Sequence, residues 1–175
     1  MNRLSRGYVL IILAILVLAM AIGLMVAVPV WHTQVQREKE EELIFRGRQY
    51  VEAVRLYQTK FPGRFPESLE ALLKENCLRK LYKDPMTRNG EWNLILHREG
   101  GAQRGGTVQK ILIAPAAALS SLTSPQILGV VSASQQKSIR IYYDQDSYDR
   151  WLFFYGQDPK AMPDIMVFGE EKKSP

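Results

Sequence analysis

The residues from Tyr8 to Val30 form an apolar run of twenty-three positions without a single charged side chain. At about 1.5 Å of rise per residue, a helix of this length measures roughly 35 Å, and the hydrocarbon core of a bilayer is about 30 Å thick. The run therefore predicts a transmembrane helix and excludes a purely soluble protein. It is too long for the apolar core of a secretory signal, and no small-residue cleavage site follows it, so we expect it to remain as an anchor.

Basic residues flank the apolar run on both sides. Arg3 and Arg6 precede it, and four basic residues follow within about 20 residues of its end, namely Arg37, Lys39, Arg46 and Arg48, so the basic residues alone do not give the orientation. Seven residues precede the run, whereas a chain long enough to fold follows it. We therefore expect the N-terminus to be cytoplasmic and the residues from about 32 onward to be translocated.

The helical pattern continues beyond the membrane segment. Apolar or small residues recur at spacings of three and four, which places them on one helix face: Leu43, Gly47, Tyr50, Val54, Tyr57 and Phe61. Pro62 ends the pattern because a residue before proline is disfavoured in helical geometry. The sequence thus predicts one helix over about residues 8–60, with a transmembrane part at 8–31 and a soluble part at 32–62.

The residues from 63 to 168 predict a small folded domain, followed by a polar, flexible tail at 169–175. Stretches of alternating polarity indicate strands, and proline and turn residues separate them. The stretch 116–134 fits no single element. The predicted elements are a short helix at 66–76, strands at 91–97 and 108–114, and a hairpin at 138–155 whose turn is Asp144–Ser147. The expected fold class is α+β, with the long helix packed on a small antiparallel sheet.

Cysteine content and charge narrow the classes of site that the chain can form. The single cysteine, Cys77, excludes an intramolecular disulfide and a multi-cysteine metal site. The formal net charge of +5 is spread along the chain without a long basic run, so we expect no nucleic-acid partner. No nucleophile elbow, phosphate loop or zinc helix is present, so we expect no enzymatic activity and no cofactor.

The N-terminal segment resembles the class III signal of type IV pilins and type II secretion pseudopilins. The similarity consists of a short basic leader ending in Gly7, an aromatic Tyr8, an unbroken apolar helix, and Pro29 twenty-one residues after Tyr8. The resemblance implies a leader at 1–7 that a prepilin peptidase removes by cutting between Gly7 and Tyr8. It also implies methylation of the new N-terminus at Tyr8.

Further similarity to this family lies beyond the anchor. It comprises Ala53-x-x-x-Tyr57, the stretch Phe61-Pro-Gly-Arg-Phe-Pro-x-Ser-Leu-x-x-Leu72, and Asp84-Pro85 before a strand. The resemblance implies a pilin-like fold and a structural role as a filament subunit of a secretion or pilus machine. The implied partners are other pilin or pseudopilin subunits, the inner-membrane assembly platform and the prepilin peptidase. The implied location is the bacterial inner membrane, in a single pass, with residues 63–168 in the periplasm.

One position departs from the family. Most members have glutamate at the fifth mature position, where this chain has Ile12. A carboxylate inside a bilayer is costly unless it finds a partner, and in the family it is read as pairing with the terminal amine of a neighbouring subunit. Its absence argues against a bulk filament subunit and leaves a minor or tip subunit open. It also supports an alternative, a permanently anchored periplasmic binding module without a filament role.

Two further groups of residues are candidate sites. Ile12, Gly23 and Pro29 are expected to lie in the helix packing and assembly surface, since small residues let apolar helices approach closely. Three acids around the predicted hairpin, Asp144, Asp146 and Asp149, are candidate calcium ligands, because some major pseudopilins bind calcium in a C-terminal loop. Their spacing lacks the glycine and the terminal glutamate of an EF-hand loop, and a hairpin turn explains the first two without a metal.

Overall fold

The computed structural model describes residues 4–97, 110–122, 124–158 and 163–169. The chain divides into two compact units, Met1–Glu38 and Lys39–Pro175. Helix α1 (Leu4–Lys60) supplies the described residues of the first unit and begins the second. The predicted helix is thus confirmed, and it continues through Pro29 as well.

The second unit contains a short helix and seven strands among the described residues. Their bounds are α2 (Leu69–Lys74), β1 (Trp92–His97), β2 (Lys110–Pro115), β3 (Ile127–Ser132), β4 (Lys137–Tyr142), β5 (Gln145–Ser147), β6 (Phe153–Phe154) and β7 (Asp164–Val167). Five strands form one sheet in the order β6-β3-β1-β2-β7, and β4 pairs with β5 in a two-stranded sheet. Short 3-10 segments lie at Ala116–Ser121 and Tyr148–Arg150.

The α+β class is confirmed, but the sheet is not wholly antiparallel. The pairs β1–β2, β1–β3 and β3–β6 are antiparallel, whereas β2 and β7 run parallel. The sequence analysis did not predict β7 as a strand. The short helix is also shorter than predicted: Ser68 is its N-cap, and the Ser68 hydroxyl accepts a hydrogen bond from the backbone N–H of Ala71.

Strand β3 lies in the stretch that the sequence left unassigned. Every residue from Ile127 to Ser132 is buried, so the strand has no polar face and no alternation from which it could be recognised. Gly129 lies at its centre, opposite Phe154 of β6. A Cβ at this position would lie 1.9 Å from the carbonyl oxygen of Phe153, so the close approach of β6 requires glycine.

The predicted hairpin over 138–155 is wrong in its second half. Strand β4 turns at Tyr143-Asp144, where both residues have positive φ (48° and 60°), as a two-residue type I′ hairpin turn requires. The chain then leaves the hairpin, and Phe153-Phe154 joins β3 in the main sheet. The physical reason is burial: four consecutive large side chains, Trp151 to Phe154, all enter the core, where an alternating hairpin strand would expose half of them.

Alternate residues of the sheet enter two different core clusters. Trp92, Leu94 and Leu96 of β1 belong to the larger cluster, together with the helix residues Leu43, Tyr50, Ala53 and Val54. Ile95 of the same strand belongs to a second cluster with Ile113 and Leu128. The predicted apolar helix face is confirmed, since its central residues are buried against this sheet.

Candidate functional site

The first candidate site is the apolar segment of α1. Over Gly7–Met25 the helix is long and apolar enough to cross a membrane by length and composition, and none of this segment is buried in the protein. Tyr8 is 67% exposed and Met25 82% exposed. Large apolar side chains exposed in this number are stable in contact with lipid or with other apolar helices.

The implied processing site lies inside this helix. Gly7 and Tyr8 are both helical and exposed, and nothing lies within 4 Å of a Cβ built on Gly7. The bond that the resemblance marks for cleavage therefore lies in helical backbone beside a glycine, which favours the helix less than alanine does by about 1 kcal/mol.

The predicted assembly residues lie along the same segment. Ile12 is exposed, and a Cβ on Gly23 would meet no atom within 4 Å. Pro29 lies within α1 as well. Within the described part of this single chain, neither Ile12 nor Gly23 is packed against another element. Both positions are therefore accessible to another helix.

A second site, which the sequence analysis missed, centres on Glu40. This side chain is fully buried. Its carboxylate accepts hydrogen bonds from the backbone N–H groups of Ile139 at 2.6 Å and Arg140 at 3.2 Å, and from the hydroxyl of Tyr148 at 2.8 Å. A carboxylate is tolerated in a protein interior when its lone pairs are satisfied in this way. Glu40 therefore fastens strand β4 to α1.

The shape of the β4–β5 pair makes this contact possible. Lys137 pairs with Ser147 and Tyr142 with Gln145, so four residues of β4 lie opposite one residue of β5. Such a bulge leaves backbone N–H groups free of ladder bonds, and two of them bind Glu40. The sequence did carry a signal for this: Glu40 lies three residues before Leu43, in register with the buried helix stripe.

A third cluster fixes the loop after α2 to the helix. The hydroxyl of Tyr50 donates to the carbonyl oxygen of Tyr82 at 2.8 Å and accepts from the backbone N–H of Tyr82 at 2.9 Å. The indole of Trp92 donates to the same carbonyl at 2.9 Å, and Arg46 donates to the carbonyl of Lys83 at 2.6 Å. Burial raises the pKa of Tyr50 to about 12. The phenol therefore stays protonated and keeps its donor role.

Asp84 is a buried carboxylate next to this cluster. It accepts hydrogen bonds from the hydroxyl of Ser132 at 2.7 Å and from the backbone N–H of Met86 at 2.8 Å. Burial nevertheless raises the pKa of Asp84 above its usual value, because desolvation outweighs these hydrogen bonds. The Asp84-Pro85 pair quoted for the family resemblance thus has a local role in joining the loop to β3.

The three candidate calcium ligands do not converge. Asp144 lies in the hairpin turn, Asp146 lies 3.7 Å from the Lys137 ammonium, and Asp149 lies in the following 3-10 segment. No group of three or more His, Cys, Asp or Glu side chains among the described residues could hold a metal ion. One carboxylate oxygen of Asp149 is buried without a hydrogen-bond partner in the described part of the chain.

An open cleft lies beside the hairpin turn. Its volume is about 390 Å³, and its lining includes Arg48, Glu52, Tyr142 and Tyr143. Burial raises the pKa of Tyr142. The cleft is lined by one basic side chain, one acidic side chain and two phenol rings. Their charges cancel, so the cleft does not favour a ligand of either charge.

Comparisons with protein-family models, with curated proteins and with solved structures found no match for this chain.

Proposed function

We propose that the chain is a pseudopilin-like structural subunit of a type II secretion or type IV pilus-type filament, anchored in the bacterial inner membrane before assembly. In this proposal a prepilin peptidase removes residues 1–7, Tyr8 becomes the methylated N-terminus, and other pilin-like subunits and the assembly platform are the partners. The function is mechanical. Apolar helices leave the bilayer and pack laterally, while the folded domain selects the neighbours.

The observation that supports this proposal most is the exposed apolar segment of α1. Its side chains are unburied from Gly7 to Met25, and the leader, Gly7-Tyr8 and Pro29 occur in and beside it at the spacings quoted above. The same helix provides the core stripe of the folded unit, including Leu43, Tyr50 and Val54. A single helix with one apolar surface for lipid or neighbours and one for its own domain is what a subunit of this kind needs.

The alternative is a permanently anchored periplasmic binding module. Ile12 favours it, because the chain has no carboxylate at that position to pair with the terminal amine of a neighbour. The open cleft beside Tyr142 and Tyr143 would then be its first candidate for ligand contact. The two proposals differ in a covalent property, because only the filament subunit loses its leader.

The experiment that separates them is intact-mass measurement and N-terminal sequencing of the protein from native membranes. The filament proposal predicts a chain beginning at Tyr8, with an added methyl mass if methylation occurs. A Gly7→Val variant should keep residues 1–7, whereas a Gly23→Val variant, which changes the other glycine of the segment, should be processed normally. A wild-type chain that still begins at Met1 would overturn the proposal and favour the anchored module.

A further inference from the structure

An exposed basic patch lies on the folded unit, outside the sites described so far. It consists of Phe45, Arg79, Lys80, Leu81, Tyr82 and Lys83. All of these except the half-buried Tyr82 are exposed, with Phe45 at 53% and Leu81 at 39%. The rings of Phe45 and Tyr82 meet edge to face at 6.5 Å, and the ammonium of Lys80 lies 5.3 Å from the Tyr82 ring centre.

The patch carries positive charge that the folded unit does not neutralise. Residues 79–83 include three cations and no acid. Within the described part of the chain, Arg79, Lys80 and Lys83 form no ion pair, whereas Arg46 and Arg55 of α1 pair with Glu42 and Glu52. Cations without ion-pair partners, next to exposed apolar side chains, are suited to a surface with anionic groups and an apolar layer beneath them.

The backbone of the patch is held in place before any partner arrives. The Tyr50 hydroxyl binds both the N–H and the carbonyl of Tyr82, Trp92 binds the same carbonyl, and Arg46 binds the carbonyl of Lys83. A loop whose backbone is fixed at Tyr82 and Lys83 loses little further entropy there on docking. The patch is therefore preorganised as a surface.

We propose that this patch docks on the anionic headgroup surface of the bilayer in which the chain's own apolar segment lies. Phe45 follows Met25 by twenty residues within the same helix, α1, so one continuous element joins the patch to the inserted segment. Insertion of the segment therefore keeps the patch near a bilayer, where each cation contributes about 1 kcal/mol to binding of an anionic surface. Lysine and arginine bind anionic lipids, and tyrosine and phenylalanine enter the headgroup layer. The proposal requires only a membrane-inserted chain, and it holds whether or not filaments form.

The test uses the full chain in proteoliposomes recovered by flotation, so that only inserted protein is measured. An environment-sensitive fluorophore is placed at Leu81→Cys, and in a separate protein at Leu56→Cys, which has the same exposure on α1. The native Cys77 is buried, and its labelling background is measured on the wild-type chain. The probe lipids are phosphatidylcholine alone or with phosphatidylglycerol, each doped with a headgroup spin label that quenches the fluorophore.

We expect the label at position 81 to be quenched at least twice as strongly as the label at 56 in vesicles with phosphatidylglycerol, and much less in phosphatidylcholine alone. In the labelled protein, Lys80→Glu with Lys83→Glu should shift the docking equilibrium by about 30-fold or more. Lys110→Glu with Arg150→Glu changes the net charge equally at exposed sites elsewhere and should leave it unchanged. High salt should weaken docking as the Lys80→Glu, Lys83→Glu pair does, because it screens exposed charges.

Three results would overturn the proposal. Equal quenching at positions 81 and 56 would mean that the patch does not face the bilayer. Equal quenching with and without phosphatidylglycerol would remove the electrostatic basis. Shielding of position 81 that depends on the protein-to-lipid ratio, without quenching by the spin label, would assign the patch to a second copy of the chain.

Discussion

Single residues decide how closely the folded unit packs on α1. Gly47 faces Phe153, and a Cβ on Gly47 would lie 2.3 Å from the ring. Phe153 in turn contacts the ring of Trp92 edge to face at 6.4 Å. Glycine at this one helix position therefore lets three core elements meet, although glycine in a helix interior is otherwise unfavourable.

We predict that Gly47→Ala destabilises the folded unit by about 1–3 kcal/mol, because the ring of Phe153 must move out of a filled core. The measurement is urea unfolding of the full chain in detergent micelles, followed by the fluorescence of the buried Trp92 and Trp151. Gly23→Ala is the matched control, since its Cβ meets no atom within 4 Å, and its transition should stay at the wild-type midpoint. Equal midpoints for Gly47→Ala and wild type would contradict the packing argument.

The raised pKa of Asp84 predicts a pH dependence of stability. The folded state holds this proton more tightly than the unfolded state, where the pKa is about 3.9. The contribution of Asp84 to the free energy of unfolding is therefore largest below about pH 4 and falls as pH rises through the folded-state pKa. Asp84→Asn should remove this fall. The measurement is the slope of unfolding free energy against pH in both proteins, and identical slopes would refute the assignment.

At the scale of elements, a buried carboxylate joins the β4–β5 pair to α1. We predict that Glu40→Ala lowers the free energy of unfolding by about 3 kcal/mol, since two backbone N–H groups and the hydroxyl of Tyr148 lose their acceptor. Amide hydrogen exchange of residues 137–147 should accelerate most, because β5 gives β4 only a short partner. The measurements are unfolding in micelles and exchange followed by mass spectrometry.

The neighbouring Glu41 provides a matched control for this prediction. Its carboxylate lies 2.5 Å from the guanidinium of Arg140, but both side chains are largely exposed, so the pair contributes little. Glu41→Ala should change stability by no more than about 1 kcal/mol. If both variants had the same effect, surface charge rather than the buried hydrogen bonds would account for the result.

At the scale of the whole molecule, the apolar segment and the folded unit depend on different forces. No side chain of the described segment Gly7–Met25 is buried in the protein, whereas the second unit is built from two clusters of buried side chains. Changes at exposed positions of the segment should therefore alter association in the membrane without altering the folded domain. This separation makes the assembly proposal testable in intact protein.

We predict that Gly23→Leu reduces cross-linking between copies in proteoliposomes several-fold, because a large side chain prevents close helix approach. Ala21→Leu lies about 160° away around the helix and should leave cross-linking unchanged, which makes it the control. Both variants should show wild-type unfolding by Trp fluorescence. Cross-linking that is insensitive to Gly23→Leu would remove this residue from the assembly surface.

Much of this organisation is determined locally and can be predicted from the sequence. The uncharged run at Tyr8–Val30 predicts an apolar helix long enough to cross a bilayer, and the helix is exposed over Gly7–Met25. The spacing of three and four from Leu43 to Val54 predicts which helix face is buried, and alternation predicts β1. In each case the physical cause lies within a few neighbouring residues: uniform apolarity in the run, and periodic alternation of apolar and polar residues in the helix face and in β1.

Tertiary structure decided the rest, because the deciding contacts join residues far apart in the chain. Strand β3 has no polar face, and it is defined by its pairing with β1 and by Gly129 under Phe153. Phe153 and Phe154 pair with β3 instead of forming the predicted hairpin, because both side chains are buried in the core there. Glu40 is in register with the buried helix stripe, but its hydrogen-bond partners are two N–H groups of the β4 bulge, about 100 residues later, which the local sequence cannot indicate.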